Sequence, residues 1–181
     1  MTTIKKTFSL EGEIPQLEQR NEELAEEIAE IERRAQDMKD NGRNKGDAFK
    51  RLKKEWKEMK VEVSVNENKI ERFGQYVNEW ESTEFRVREL TFGETQKIKD
   101  TVANASFDVD IELQEIEGTP LQGLYESEFL KKAVVEMPDD APDDPNDLPE
   151  VLGDWLVDKC EAINSVGDTS VGNMSLEDEL N

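Results

Sequence analysis

Carboxylates are the chemistry this chain has to offer. It carries 44 Asp and Glu, one cysteine and no histidine, so the usual general base near neutral pH is missing and any acid–base or cation chemistry would fall to acidic side chains. The most suggestive spacing is Asp108, Asp110 and Glu112, which fall at positions 1, 3 and 5 of an EF-hand loop. Leu113 stands where that loop needs glycine and Thr119 where it needs a bidentate glutamate, which rejects the pattern. The acidic run 139–147 reads as a solvated loop, with a loose cation site as the alternative. Cys160 reads as a core residue; a lone cysteine forms no intramolecular disulfide and, without histidine, no Cys/His metal site. GDTSVG at 167–172 has the wrong glycine spacing for a nucleophile elbow, and no GxxxxGK[ST] loop occurs. The expectation is therefore a protein with no catalytic residue, cofactor or metal, and a carboxylate enzyme is the minor alternative.

The formal charge of −21 is unevenly placed. Residues 1–83 carry 16 Lys and Arg against 19 Asp and Glu, whereas 84–181 carry 7 against 25. Such a field repels nucleic acid and acidic membranes, so neither is an expected partner. It resembles the solvated surface of proteins from salt-accumulating halophiles. No run of 18 apolar residues occurs and MTTIKKTFSL lacks an apolar signal core, so the expected location is cytoplasmic or in a virion.

The elements that would position these groups begin with a heptad pattern. From Pro15, which suits a first helical turn, apolar residues recur as Ile14, Ile28 and Ala35 in one register and Leu17, Leu24, Ile31 and Met38 in the other. A second series runs Phe49, Leu52, Trp56, Met59, Val63, Ile70, Phe73, Val77 and Trp80. Both are a/d seams. Between them, DNGRNKGD at 40–47 reads as a fold-back, with Gly42 and Gly46 freeing the backbone. Level residues then have numbers summing to 87, so that Leu17 meets Ile70, Ile28 meets Met59 and Ile31 meets Trp56. The polar interruptions, Asn21 and Asn66, also fall level, where two amides satisfy each other and fix register. The alternative is that each segment pairs with other chains in an oligomeric coil. The basic stretch near the turn, Lys45 to Lys60, reads as a solvated face.

Strand-like alternation flanks this hairpin at 2–10 and 84–92, predicting an antiparallel strand pair. Thr91 and Glu94 form a capping box that should open a helix over about 92–104. A second helix is expected over 124–136, a proline-rich loop over 138–147, and a third helix opened by Asp147 as cap, with Pro149 in its first turn and Glu150 three residues on. The organisation expected is mainly α: an N-terminal strand at 1–13, an antiparallel coiled-coil hairpin over 14–82 projecting from a small α(+β) helical domain over 83–164, and a flexible tail over 165–181.

The order FRVRELTFGETQKIKD (85–100), EFLKKAVVEMP (128–138), an acidic loop and DLPEVLGDWLVDKCEAIN (147–164) resembles the tail assembly chaperones of tailed bacteriophages and archaeal tailed viruses. The likeness covers about 80 residues. Members of that family are usually small and helical without an arm such as 14–80, so the hairpin marks an elaborated chaperone or a virion protein that borrowed the domain. What the resemblance implies is binding of tape measure protein and tail tube subunits before the tube polymerises. Phe92, Phe129, Leu130, Val134, Trp155 and Leu156 would then be the partner-binding residues. The alternative is a structural virion component whose coil contacts neighbouring subunits, and in either case the coil could support a homo-oligomer.

Overall fold

The computed structural model describes residues 4–107 and 120–164. The chain is mainly helical, with a small three-stranded antiparallel sheet. In order, β1 spans Lys5–Ser9, α1 Leu10–Asp40, α2 Asp47–Glu79, β2 Glu84–Arg88, α3 Phe92–Phe107, α4 Pro120–Ala133, β3 Val134–Glu136 and α5 Glu150–Asn164, with one 3-10 turn at Pro145–Asp147. Two compact units result: Ser9–Thr83 is one, and Met1–Phe8 with Glu84–Asn181 is the other.

In the first unit α1 begins five residues before the Pro15 expected to open it. Ser9 is extended and its side chain accepts from the Gly12 amide at 3.1 Å. That cap, with Glu11 and Glu13 in the positive first turn, stabilises an earlier start. Pro15 therefore lies inside the helix, where it removes the amide that would have bonded the Glu11 carbonyl. At the other end α1 closes in a Schellman motif: Arg43 N donates to Met38 O at 2.8 Å and Gly42 N to Lys39 O at 3.0 Å. Gly42, at φ +68°, supplies the left-handed residue this motif requires. Gly46, expected to share that task, is an ordinary extended N-cap at φ −82°. The reversal needs one glycine.

The a/d stripes face each other. Leu24, Ile28, Ile31, Leu52 and Phe73 are buried, and Leu17, Trp56, Met59, Val63 and Ile70 are half-buried. Asn66 is 7 % exposed, and its Nδ2 donates to Asn21 Oδ1 at 2.9 Å. This bond joins residues whose numbers sum to 87, fixing the antiparallel register across one chain. Flanking pairs agree: Arg20 Nε donates to Glu62 Oε1 at 2.8 Å on one side, and Trp56 Nε1 to Glu32 Oε1 at 2.9 Å near the turn. Leu10 N donates to Thr83 O at 3.2 Å and closes the open end of the hairpin.

In the second unit the strand order is β1-β2-β3. The expected pair gains a third strand, because the helix expected over 124–136 stops at Ala133. Val134 and Val135 are β-branched and Met137 precedes a proline, so extended backbone wins there. Arg86 faces Glu136 across β2 and β3, and their side chains meet at 2.6 Å. The core behind the sheet joins Phe85, Val87, Ile98, Phe129, Leu130, Leu152, Trp155 and Leu156. Phe85 and Trp155 pack edge-to-face at 5.4 Å.

The start of α5 also differs from expectation. Asp147 ends the 3-10 turn, which Asp144 caps, and Leu148 is extended at ψ 146°. A residue before proline is disfavoured in the α region, so the helix cannot run back through Leu148. It starts instead at Glu150, with the Pro149 carbonyl accepting from Leu152 N at 2.8 Å and Gly153 N at 3.0 Å. Asp147 is not its cap. The tail 165–181 and the trio Asp108, Asp110 and Glu112 lie outside the described residues.

Candidate functional site

The helix caps are built as a connected network around Glu94. Its Oε2 accepts from Thr91 N at 2.9 Å and from Thr91 Oγ1 at 3.0 Å, while Thr91 Oγ1 accepts from Glu94 N at 3.3 Å. Arg88, at the end of β2, grips the same carboxylate through both terminal nitrogens, at 2.7 and 3.1 Å. Together, first the Arg88 guanidinium and then the Thr91 donors hold the Glu94 carboxyl at about 2. This is an anchor of α3 to the sheet. A second anchor went unforeseen: Asn164, at the end of α5, accepts from Leu90 N at 2.7 Å and donates to Cys160 O at 2.7 Å. Its position at a helix end was the available signal.

Burial pushes the Cys160 thiol up to about 12, with Glu161 adding to the effect. The thiol is protonated at neutral pH and sealed in the core. Among the described residues no group of three or more His, Cys, Asp or Glu is placed to hold a metal ion. No helix among them is long and apolar enough to cross a membrane.

The nominated partner-binding residues divide by burial. Phe129, Leu130, Trp155 and Leu156 are 5 % exposed or less; they fill the domain's interior and are not available to a partner. The error has a simple cause, since an apolar stripe looks the same whether it packs inward or outward. Phe92 is 79 % exposed. Val134 is half-buried and lines a surface groove of about 570 Å³ together with Val135, Met137 and Pro138. That groove runs along β3, the last strand of the sheet. Val135 is 38 % exposed there.

Asp139, Asp143 and Asp144 line the groove as acidic residues, and Lys131 lines it too. Asn146 N donates to Asp144 Oδ1 at 2.9 Å, which lowers that carboxyl from its usual value, and the nearby Lys131 adds to the effect. Asp144 is thus charged over the neutral range. Exposed apolar residues beside an edge strand, with acidic residues around them, are features that receive an extended, basic segment by strand addition.

A second groove, of about 520 Å³, lies in the hairpin near the turn. Ile31, Ala35, Leu52 and Trp56 form its floor, and Glu32, Gln36, Lys39 and Lys53 its rim. The basic stretch read as a solvated face is indeed exposed at Lys45, Lys50, Lys53, Lys54, Lys57 and Lys60.

Fold and surfaces together define a class: an acidic α+β domain joined to an intramolecular coiled-coil hairpin, each carrying a surface groove. Comparison takes the identification no further, because no protein-family model matches the chain, and no curated protein or solved structure is significantly similar to it.

Proposed function

We propose that this chain is a non-enzymatic assembly protein of a tailed virus, chaperone-like in action, which holds an extended segment of tape measure or tail tube protein in the groove beside β3. The observation that carries the reading is the coincidence of an edge strand, an exposed Val135 and acidic lining residues in one groove of the acidic domain. Phe92 offers a further apolar contact on the same unit. The resemblance over 85–164 supplies the partner class. The setting would be the host cytoplasm during assembly.

The test is co-expression of the chain with tail tube subunits or tape measure segments, reading how much tube protein stays soluble and unpolymerised. Val135→Asp, together with Phe92→Ser, should weaken binding of the partner segment roughly tenfold or more by removing the exposed apolar groups of this unit. Wild-type-like retention by the double variant, with its circular dichroism intact, would sink the proposal.

A second reading is favoured by the hairpin itself. A seam completed within one chain makes a stiff arm on the order of 40 Å long, which suits a structural component of the virion spanning neighbouring subunits. Purified particles separate the two readings: a chaperone is absent from them at stoichiometric level, and a component is present at fixed copy number.

A further inference from the structure

The heptad places Glu11, Glu18, Glu22, Ala25, Ala29, Glu32 and Lys39 of α1 on one flank of the hairpin. Lys50, Lys53, Lys57, Lys60, Ser64, Glu67 and Glu71 of α2 fall on the same flank, and all of these side chains are exposed. The geometry agrees, since Glu32 bonds Trp56, and Glu32, Lys39 and Lys53 share the rim of the groove near the turn. The Arg20–Glu62 pair lies on the opposite flank. Along this flank the charge changes sign. The half towards the turn carries five lysines against Glu32; the half towards the open end carries five glutamates and no cation; the middle is small, with Ala25, Ala29 and Ser64.

A surface that is positive at one end, negative at the other and small in the middle complements itself when turned end for end. We propose that this flank binds the same flank of a second copy of the chain, two-fold related and antiparallel, with the axis passing beside Ala25. A rotation that sets Ala25 against Ala25 of the second copy brings α2 level with α2 at numbers summing to 124. Lys57 then meets Glu67 of the second copy, Lys53 meets Glu71, and on α1 Lys39 meets Glu11. Each pairing occurs twice by symmetry. Pro15 of the second copy comes over Ala35 in the groove floor, and the alanines allow the helices to approach closely. One like-charge pairing, Glu18 with Glu32, opposes these, and Glu32 already accepts from the Trp56 indole. The occupant of the groove near the turn is thus the open end of an identical hairpin. A basic viral segment is disfavoured there by the lysines.

The experiment needs no viral partner, so its outcome is independent of the assembly reading. Sedimentation velocity on the full chain should show a dimer at low salt that dissociates as salt screens the pairs. Two variants are then made: Lys53→Glu with Lys57→Glu, and Glu67→Lys with Glu71→Lys. Each alone sets like charges together, and the dimer dissociation constant should rise at least about tenfold. Mixed, the two variants restore all four pairings and should form a heterodimer. Circular dichroism establishes that each variant is helical before mixing. A wild-type chain that stays monomeric to its solubility limit overturns the proposal, as does a dimer indifferent to both reversals. Two disrupted variants that fail to recombine overturn the antiparallel register.

Discussion

At the scale of single residues, the Asn21–Asn66 bond is the most informative contact in the molecule. Each amide sits in an otherwise apolar seam, and Asn66 Nδ2 donates to Asn21 Oδ1 at 2.9 Å. A hydrogen-bonded pair of this kind adds little net stability, but an amide left buried without its partner costs about 1–3 kcal/mol. Asn21→Leu alone should therefore destabilise the hairpin, because it strands the Asn66 amide at a site only 7 % exposed. Asn21→Leu with Asn66→Leu should recover the loss and raise the melting temperature above wild type, while relaxing the register that the amides enforce. Thermal unfolding of the two single variants and the double variant measures the coupling. Additive single losses would show that the amides do not act as a pair.

At the scale of elements, what was legible in the sequence depended on whether one residue type or one period carried the signal. The seam was legible because eighteen positions repeat one spacing, and burial follows them from Ile14 to Trp80. The capping box at Thr91 and Glu94 was legible because two side chains suffice to make it. The start of α5 was misread for the opposite reason: Asp147-Leu148-Pro149-Glu150 has the right letters, but the backbone of Leu148 is set by its proline and not by the cap. β3 was missed because its three residues are too few for a period and continue the apolar pattern of α4. Which apolar residues face outward was not legible, since four of the six nominated as partner-binding are interior. The turn gives this scale its prediction. Gly42 alone is left-handed, and Gly46 is not. Gly42→Ala should lower hairpin stability by roughly 1 kcal/mol. Gly46→Ala, at an extended N-cap where a new Cβ meets only the Arg43 carbonyl at 4.0 Å, should cost less, about 0.5 kcal/mol, because alanine is a poorer N-cap than glycine but suffers no backbone strain there. Equal losses in denaturant unfolding would mean that the Schellman geometry does not control the reversal.

At the scale of the whole molecule, charge is divided between the two units as sharply as structure is. Residues 84–181 carry 25 acids against 7 bases, and folding within this part of the chain works against their mutual repulsion. Ion pairs such as Arg86–Glu136 are exposed and offset little of this repulsion. On one flank of the hairpin, by contrast, the charge changes sign along its length, and salt would weaken the attraction between copies proposed for it. The Debye length falls from about 14 Å near 0.05 M salt to about 3 Å at 1 M. Salt should then act in opposite directions on the two properties of one chain: it dissociates the hairpin-mediated dimer and stabilises the acidic domain against unfolding. Sodium chloride is the suitable probe, because sulfate would also strengthen apolar burial and confuse the cause. Calorimetry at concentrations low enough to keep the chain monomeric isolates the second effect. The transition that reports the acidic domain, followed by fluorescence of Trp155 in its core in a chain carrying Trp56→Phe and Trp80→Phe, should move to higher temperature with added salt. A domain transition that stays fixed over this range would mean that its surface charge is already neutralised by local pairing, and self-repulsion would have to be abandoned as the main term limiting its stability.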